Sequence, residues 1–239
     1  MPHPPPIRGR GAQSALVPQR YGLAAREADG DWLDRRKAVD GPVGKLRTTV
    51  TEEHPKSILS FNQSPDIPFD RSINAYRGCE HGCIYCFARP SHAWHDLSPG
   101  LDFETKLFAK PDAARLLRET FAKRSYRPAT IAMGTNTDPY QPIEARYQIT
   151  REVLELCLEC RHPVTITTKS DRVLRDVDLL AEMAMHRLIA VGISVTSLDA
   201  KLSSLLEPRA ASPAKRIAAL GRLVDAGRSE EHTSELQSR

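Results

Sequence analysis

Long apolar runs are missing from this sequence. The longest, Leu188 to Val195, is interrupted by Gly192 and Ser194 and falls well short of the roughly 20 residues that span a bilayer. The N-terminal MPHPPPIRGRG has no apolar stretch behind its first basic residues, so it does not read as a secretory signal. From these two absences the protein is expected to be cytoplasmic, with no membrane partner. Cysteine is scarce and odd in number: of five, three crowd into GCEHGCIYCF, Gly78 to Phe87, and no fourth lies nearby. That number and spacing do not look like a disulfide framework; a reducing compartment and metal ligation suit them better. What is present in quantity is apolar residue, 40% of the chain, enough for a core.

Charge is unevenly placed. Residues 1 to 50 hold nine Lys/Arg against five Asp/Glu, and the remainder holds 25 of each. This arm mixes Pro, Gly, Arg and Ala without sustained period, the composition of a segment that cannot bury enough apolar surface to offset its ordering entropy. It is expected to be mostly disordered, either a solubilising tail or a phosphate-attracting one. Its poverty in aromatic residues leaves few platforms for stacking bases.

From Ser57 onward, strand and helix patterns alternate. Ile73 and Ala75 alternate with Asn74 and Tyr76 as a short strand would, directly before the cysteines. KPDAARLLRETFAKR carries a helix-period stripe at Ala113, Leu116, Leu117 and Phe121, and ATIAMG reads as a buried strand. ITREVLELCLEC reads as a helix capped by Thr150, with Cys157 and Cys160 as two small core residues, and PVTITT is the next strand. DRVLRDVDLLAEMAMH is helical, LIAVGISV a strand, and SPAKRIAALGRLVDAG a helix with Ser212 as N-cap, Pro213 in its first turn and Gly227 at its end.

Such alternation implies an α/β fold of parallel strands, either a barrel or an open doubly wound sheet, with its chemistry at the strands' C-terminal ends. The loops Arg77 to Cys86, Thr135 to Pro142, Lys169 to Asp171 and Thr196 to Asp199 are therefore expected on one face. A further strand is due after LVDAG, and instead comes the aperiodic RSEEHTSELQSR. Arg228 to Arg239 resembles the in-frame translation of a sequencing-library adapter and is read as artefactual. Ile217, Leu220 and Val224 would then face strands that the sequence lacks. The expected division is an arm at 1–50, a core at 51–227 and a tail at 228–239.

Cys79, Cys83 and Cys86 form C-x3-C-x2-C. Thiolates suit zinc or iron–sulfur clusters, and three of them leave one metal position open. One alternative is zinc, with His81, His92 or His95 as fourth ligand. C-x3-C-x2-C with an aromatic, Tyr85, before its last cysteine resembles the signature of the radical SAM superfamily. The wider set INAYRGCEHGCIYCFARPSHAW, GTNTDPYQP, TTKS and EPRAASPAKR is similar to the branch that contains spore photoproduct lyase.

The resemblance implies a partial (βα)6 TIM-like barrel, of which the strands near Ile73, Ile131, Ile166 and Ile193 are visible and the last two are not. It implies a [4Fe–4S] cluster on Cys79, Cys83 and Cys86, with S-adenosylmethionine on the fourth iron. The reduced cluster would cleave the cofactor to methionine and a 5′-deoxyadenosyl radical that abstracts hydrogen from substrate. A reducing donor such as flavodoxin or ferredoxin is implied too, and the substrate is open, nucleic acid included. By resemblance Tyr85 packs near the adenine, or else it is an ordinary core aromatic. Thr135, Asn136, Thr137 and Asp138 hold the cofactor's amine or ribose, or else form a turn. The family's GGE stretch is absent. Lys169 reaches the cofactor carboxylate, or snorkels at the surface. Ser194 is favoured over Thr196 as a ribose contact, and Glu207 and Arg209 lie where a carboxylate could dock, or form a cap and ion pair. ATIAMGTNTD has no cysteine of the hydrogen-donating kind that spore photoproduct lyase uses, which argues against thymine-dimer repair. The competing functions are a metal-bearing nucleic-acid binding protein that leaves the cofactor intact, and an inactive fragment.

Overall fold

Residues 9–12 and 47–226 are described by a computed structural model. The readings made on 1–8, 13–46 and 227–239, which include most of the arm, Gly227 and the polar tail, lie outside the described residues.

The β-branched TVTE forms β1 (Thr49–Glu52), so order starts before the boundary expected at residue 51. β2 (Leu59–Phe61), β3 (Arg71–Ile73) and β4 (Tyr76–Arg77) follow. The single strand expected through Ile73 and Ala75 is thus split. Asn74 is the break: its side-chain carbonyl accepts from Thr135 Oγ1 at 3.2 Å and from the Asn136 amide at 3.0 Å, tying it to a distant loop. After a 3-10 helix, Arg89–His95, come α1 (Leu101–Thr105) and β5 (Lys106–Ala109). β5 pairs in parallel with β1 and antiparallel with β4, a small sheet that the sequence pattern does not announce.

The expected alternation follows as α2 (Ala113–Phe121), β6 (Ile131–Met133), α3 (Glu144–Tyr147), α4 (Ile149–Glu159) and β7 (Val164–Thr168). A 3-10 helix, Asp171–Asp176, leads into α5 (Val177–Met185), β8 (Ile189–Ile193), α6 (Ala200–Leu206) and α7 (Pro213–Asp225). The main sheet has the order β2-β3-β6-β7-β8, and β3, β6, β7 and β8 run parallel with Ile131 opposite both Arg71 and Val164. These are the four strands expected around Ile73, Ile131, Ile166 and Ile193. The fold is α/β with parallel strands. Its sheet is open among the described residues, with β2 antiparallel on one edge and β8 on the other, so closure into a (βα)6 barrel is not observed.

The core follows the periodicities. Leu117, Val153, Leu154 and Ile166 are fully buried between helices and sheet, each worth about 1.5–3 kcal/mol of burial. Three readings are corrected. Thr150 is not the cap of α4; Gln148, with φ of 53°, precedes the helix, and the Thr150 hydroxyl donates to the Pro139 carbonyl at 2.7 Å. Cys157 is a core residue, but Cys160 is exposed. On α7 the correction is to Leu220 alone, which packs partly on the core, while Ile217 and Val224 are exposed as expected. The Ser212 cap holds, accepting from the Lys215 amide. Among the described residues no helix is long and apolar enough to cross a membrane.

Lys110, just past β5, is buried with its Nζ donating to the Asn74 carbonyl at 2.9 Å. Desolvation and the nearby Arg77 guanidinium bring its amine down to about 8 against an ordinary 10.5. Below pH 8 the folded state carries the full cost of that charge, and stability should rise as pH climbs from 8 toward 10.5. Lys110→Met is expected to raise the unfolding free energy at pH 7 by about 1–3 kcal/mol and to flatten that rise. An unchanged pH profile would show that the amine is solvated.

Candidate metal centre

The cysteines occupy the loop that follows β4, and five residues fix that loop by hydrogen bonds to its backbone. The Cys79 amide donates to the Phe103 carbonyl at 2.9 Å, and the Ile84 amide to the Leu206 carbonyl at 3.0 Å. Gln141, buried after β6, clamps the loop's start: its Nε2 donates to the Gly78 carbonyl and its Oε1 accepts from the Glu80 amide, both at 3.1 Å. Arg89 reaches back to the Cys83 carbonyl through Nε at 3.1 Å and Nη2 at 2.9 Å. Arg209 donates from its backbone to the His81 carbonyl and from its guanidinium to Glu80. Neither Gln141 nor Arg89 is singled out by the sequence; the only signal for Gln141 is a polar residue between two turns of a Pro-rich loop just past a buried strand.

All three thiols are free. Cys79 is buried, Cys83 and Cys86 are half-buried, and Cys79 and Cys86 share an apolar patch with Ala88 and Phe103. Burial pushes the Cys83 thiol up to about 12, against the pull of Lys169 and with a further push from Glu207. Cys79 is likewise raised, by burial first and then by Asp138. Such thiols ionise when a metal's positive charge replaces the lost solvation. Among the described residues no three His, Cys, Asp or Glu side chains converge to hold a single metal ion. The histidines of the zinc alternative each have a neighbour of their own, although His92 Nδ1 and His95 Nε2 are buried without a hydrogen-bond partner. His81 Nδ1 faces the Asp138 carboxylate at 3.3 Å. His92 Nε2 lies 2.9 Å from the Lys106 carbonyl, and His95 lies against the Phe108 ring at 4.7 Å between centroids. A cluster, bound by thiolates spread more widely than around one ion, fits this donor set.

The four expected loops do share one face. Lys169 lies 5.9 Å from the centre of the Tyr85 ring and 3.9 Å from Glu207 Oε1. Tyr85 Oη donates to Glu207 and lies 3.1 Å from Thr196 Oγ1. Thr196 in turn donates to Glu207 at 2.6 Å, so Thr196 joins this cluster by its side chain, whereas Ser194 is tied by its backbone to Thr168 and Arg216. Burial alone would raise the Glu207 carboxyl, yet hydrogen bonds from Thr196, Tyr85 and Arg216 outweigh it and hold it low. Glu207 and Arg209 therefore serve internal pairs with Arg216 and Glu80 rather than an open carboxylate site.

In the TNTD run, Thr135 donates to Asn74 and Asn136 is exposed, while the buried Thr137 donates to the Tyr76 carbonyl at 3.1 Å. The Asp138 side chain is only 8% exposed, with both oxygens engaged: Oδ1 accepts from Thr168 Oγ1 at 2.7 Å and the Tyr140 amide at 2.9 Å, Oδ2 from the Lys169 amide at 2.7 Å. Burial would raise this carboxyl; His81 and these donors keep it below its usual range. It ties the cysteine loop, through His81, to the loops after β6 and β7.

Comparison with known proteins agrees with this arrangement. An uncharacterized protein of Mycobacterium tuberculosis (strain H37Rv) is 38% identical over 171 residues, 70% of this chain and 50% of that one. One of Methanocaldococcus jannaschii is 32% identical over 155 residues, 65% of this chain and 55% of the relative. The chain thus spans about half the length of these relatives. Spore photoproduct lyase complexed with dinucleoside spore photoproduct superimposes with a TM-score of 0.55 at 16% identity, over 75% of this chain and 48% of that one. A mutant of that lyase with bound AdoMet gives 0.52 at 16% identity, over 75% and 48%. At that identity the likeness is one of fold. The sequence profile of the Radical SAM superfamily matches residues 73–236, from the end of β3 across the cysteine loop and every later strand. On that match the chain belongs to the radical SAM superfamily.

Proposed function

We propose that the chain is the cofactor-binding part of a radical SAM enzyme, in which Cys79, Cys83 and Cys86 hold a [4Fe–4S] cluster beside bound S-adenosylmethionine. The observation that carries this is the convergence of a backbone-clamped three-cysteine loop with Lys169, Tyr85 and the TNTD loop on one end of four parallel strands. When bound, the cluster and cofactor supply a one-electron cleavage of a carbon–sulfur bond and, from it, hydrogen abstraction from substrate. The chain's own residues orient and shield. Arg89 and Gln141 hold the loop backbone so that three thiolates meet one cluster. Lys169, whose neighbour Glu207 is already paired with Arg216, offers its ammonium to the cofactor carboxylate. Tyr85 offers a half-exposed ring face to the adenine, and the contacts to ribose and amine are assigned to Ser194, Thr135, Asn136 and Thr137 on the family resemblance, Asn136 being the exposed one. Asp138, its oxygens engaged, acts as a positioning residue for Lys169. A flavodoxin or ferredoxin would supply the electron. None of β3, β6, β7 or β8 carries a cysteine, so lesion repair that relies on a strand thiol is not part of the proposal.

Adding S-adenosylmethionine to the reduced, reconstituted protein is expected to shift the cluster's EPR signal. Lys169→Ala should weaken cofactor binding about ten-fold or more, the loss of a charge-assisted contact worth about 1.5–3 kcal/mol. An EPR signal indifferent to the cofactor would overturn the proposal; unchanged affinity in the variant would remove Lys169 from the site.

A further inference from the structure

Glu104 on α1 is fully buried, and its carboxylate gathers donors from separate parts of the chain. Arg89 Nη2 donates to Oε1 at 2.7 Å, the Ala12 amide to Oε1 at 2.7 Å, and the Gly11 amide to Oε2 at 3.1 Å. Arg10, only 5% exposed, sends Nη1 to the Glu104 backbone carbonyl at 2.7 Å and Nη2 to Thr48 Oγ1 at 3.1 Å. The same Arg89 holds the Cys83 carbonyl, so one chain of polar contacts runs from Arg10, Gly11 and Ala12 through Glu104 and Arg89 to the middle cysteine. Backbone also meets backbone. A methyl group on Gly11 would lie 1.7 Å from the Gly82 carbonyl oxygen. One on Gly82, whose φ is 67°, would lie 2.9 Å from Glu104 Oε2. Glycine is needed at both places, at the second for its left-handed backbone as well.

A solvated tail does not behave this way. Ordering Arg10 to Ala12 costs backbone and side-chain entropy, and without their amides the buried Glu104 carboxylate would keep Arg89 as its side-chain partner but lose two donors. We propose that Arg10, Gly11 and Ala12 form a strap that fixes the cysteine loop at Gly82 and Cys83, making these three residues and Glu104 positioning residues for the metal centre. What the strap serves rests on the cluster assignment above; that it holds the loop does not.

The test uses full-length protein in two states. In metal-free protein, Gly11→Ala should make the amides from Gly82 to Cys86 exchange hydrogen about ten-fold faster or more, the scale of one or two lost charge-assisted hydrogen bonds. In reconstituted protein, the same variant should release iron to a chelator correspondingly faster and show an altered EPR signal from the reduced cluster. Arg10→Ala, which adds no atoms, should act in the same direction, and Arg10→Lys should recover part of the effect. Ala12→Ser keeps the only group of Ala12 that the strap uses, its amide, and should match wild type. Wild-type exchange and iron release in both Gly11→Ala and Arg10→Ala would overturn the strap. If wild type takes up no cluster, the cluster assignment fails and the exchange arm alone decides the strap.

Discussion

Replacing Cys79, Cys83 or Cys86 singly with alanine should give protein that carries no four-iron cluster after anaerobic reconstitution, while Cys157→Ala and Cys160→Ala retain one. Three thiolates are the minimum set this loop offers for a cluster. His81, the nearest histidine in sequence, turns Nδ1 to Asp138, and His92 turns Nε2 to the Lys106 carbonyl. The loop itself should survive each substitution, because its clamps from Gln141, Arg89, Phe103 and Leu206 act on backbone atoms. Loss of iron would therefore report ligation rather than unfolding. Cys157 sits in the core of α4, where burial pushes its thiol up to about 12 and packing is its only role. Iron and sulfide content with unfolding curves for all five variants decides this; full iron content in any of the three loop variants contradicts the ligand set.

Arg216→Ala should be the most damaging single change away from the cysteines. Arg216 and Glu207 are both buried and paired, and the guanidinium also satisfies the Ser194 carbonyl at 2.9 Å and the Ala211 carbonyl at 2.7 Å. Its removal strands a buried carboxylate and two carbonyls, a loss of about 3–5 kcal/mol, against a typical domain stability of about 5–15 kcal/mol. Glu207 is also the acceptor for Tyr85 and Thr196, so the damage should spread to the cysteine loop's neighbours. Glu207→Gln together with Arg216→Met should recover part of the loss, since no unpaired charge remains buried. Denaturant unfolding of the two variants measures this. A cost under about 0.5 kcal/mol for Arg216→Ala, the scale of an ordinary surface change, would show that the pair is hydrated.

The parallel strands are legible in the sequence because ATIAMG, PVTITT and LIAVGISV are short β-rich runs between stripes of helical period, and the cysteine loop because its spacing is local. What escapes is set by partners distant in the chain. β4 has two residues and β1 four, too few to show a period, and their sheet exists through pairing with β5. Asn74 breaks a strand for a loop some sixty residues away. Arg10 to Ala12 carry no apolar pattern, only one glycine and two amides that fit a carboxylate on α1, and an arginine that reaches the carbonyl of the same residue. Arg216 did leave a signal. It shares the buried stripe of α7 with Ala219 and Leu223, at helical spacing, and a charge in such a stripe calls for a buried partner.

The central claim is that this loop and face bind a cluster and S-adenosylmethionine for reductive cleavage, and product analysis tests it most directly. Reconstituted protein, reduced chemically under anaerobic conditions and given S-adenosylmethionine, should form methionine and 5′-deoxyadenosine in equal amounts, with none formed by Cys83→Ala. A protein that holds a fully reduced four-iron cluster, yet leaves the cofactor intact and its EPR signal unmoved by it, would contradict the account.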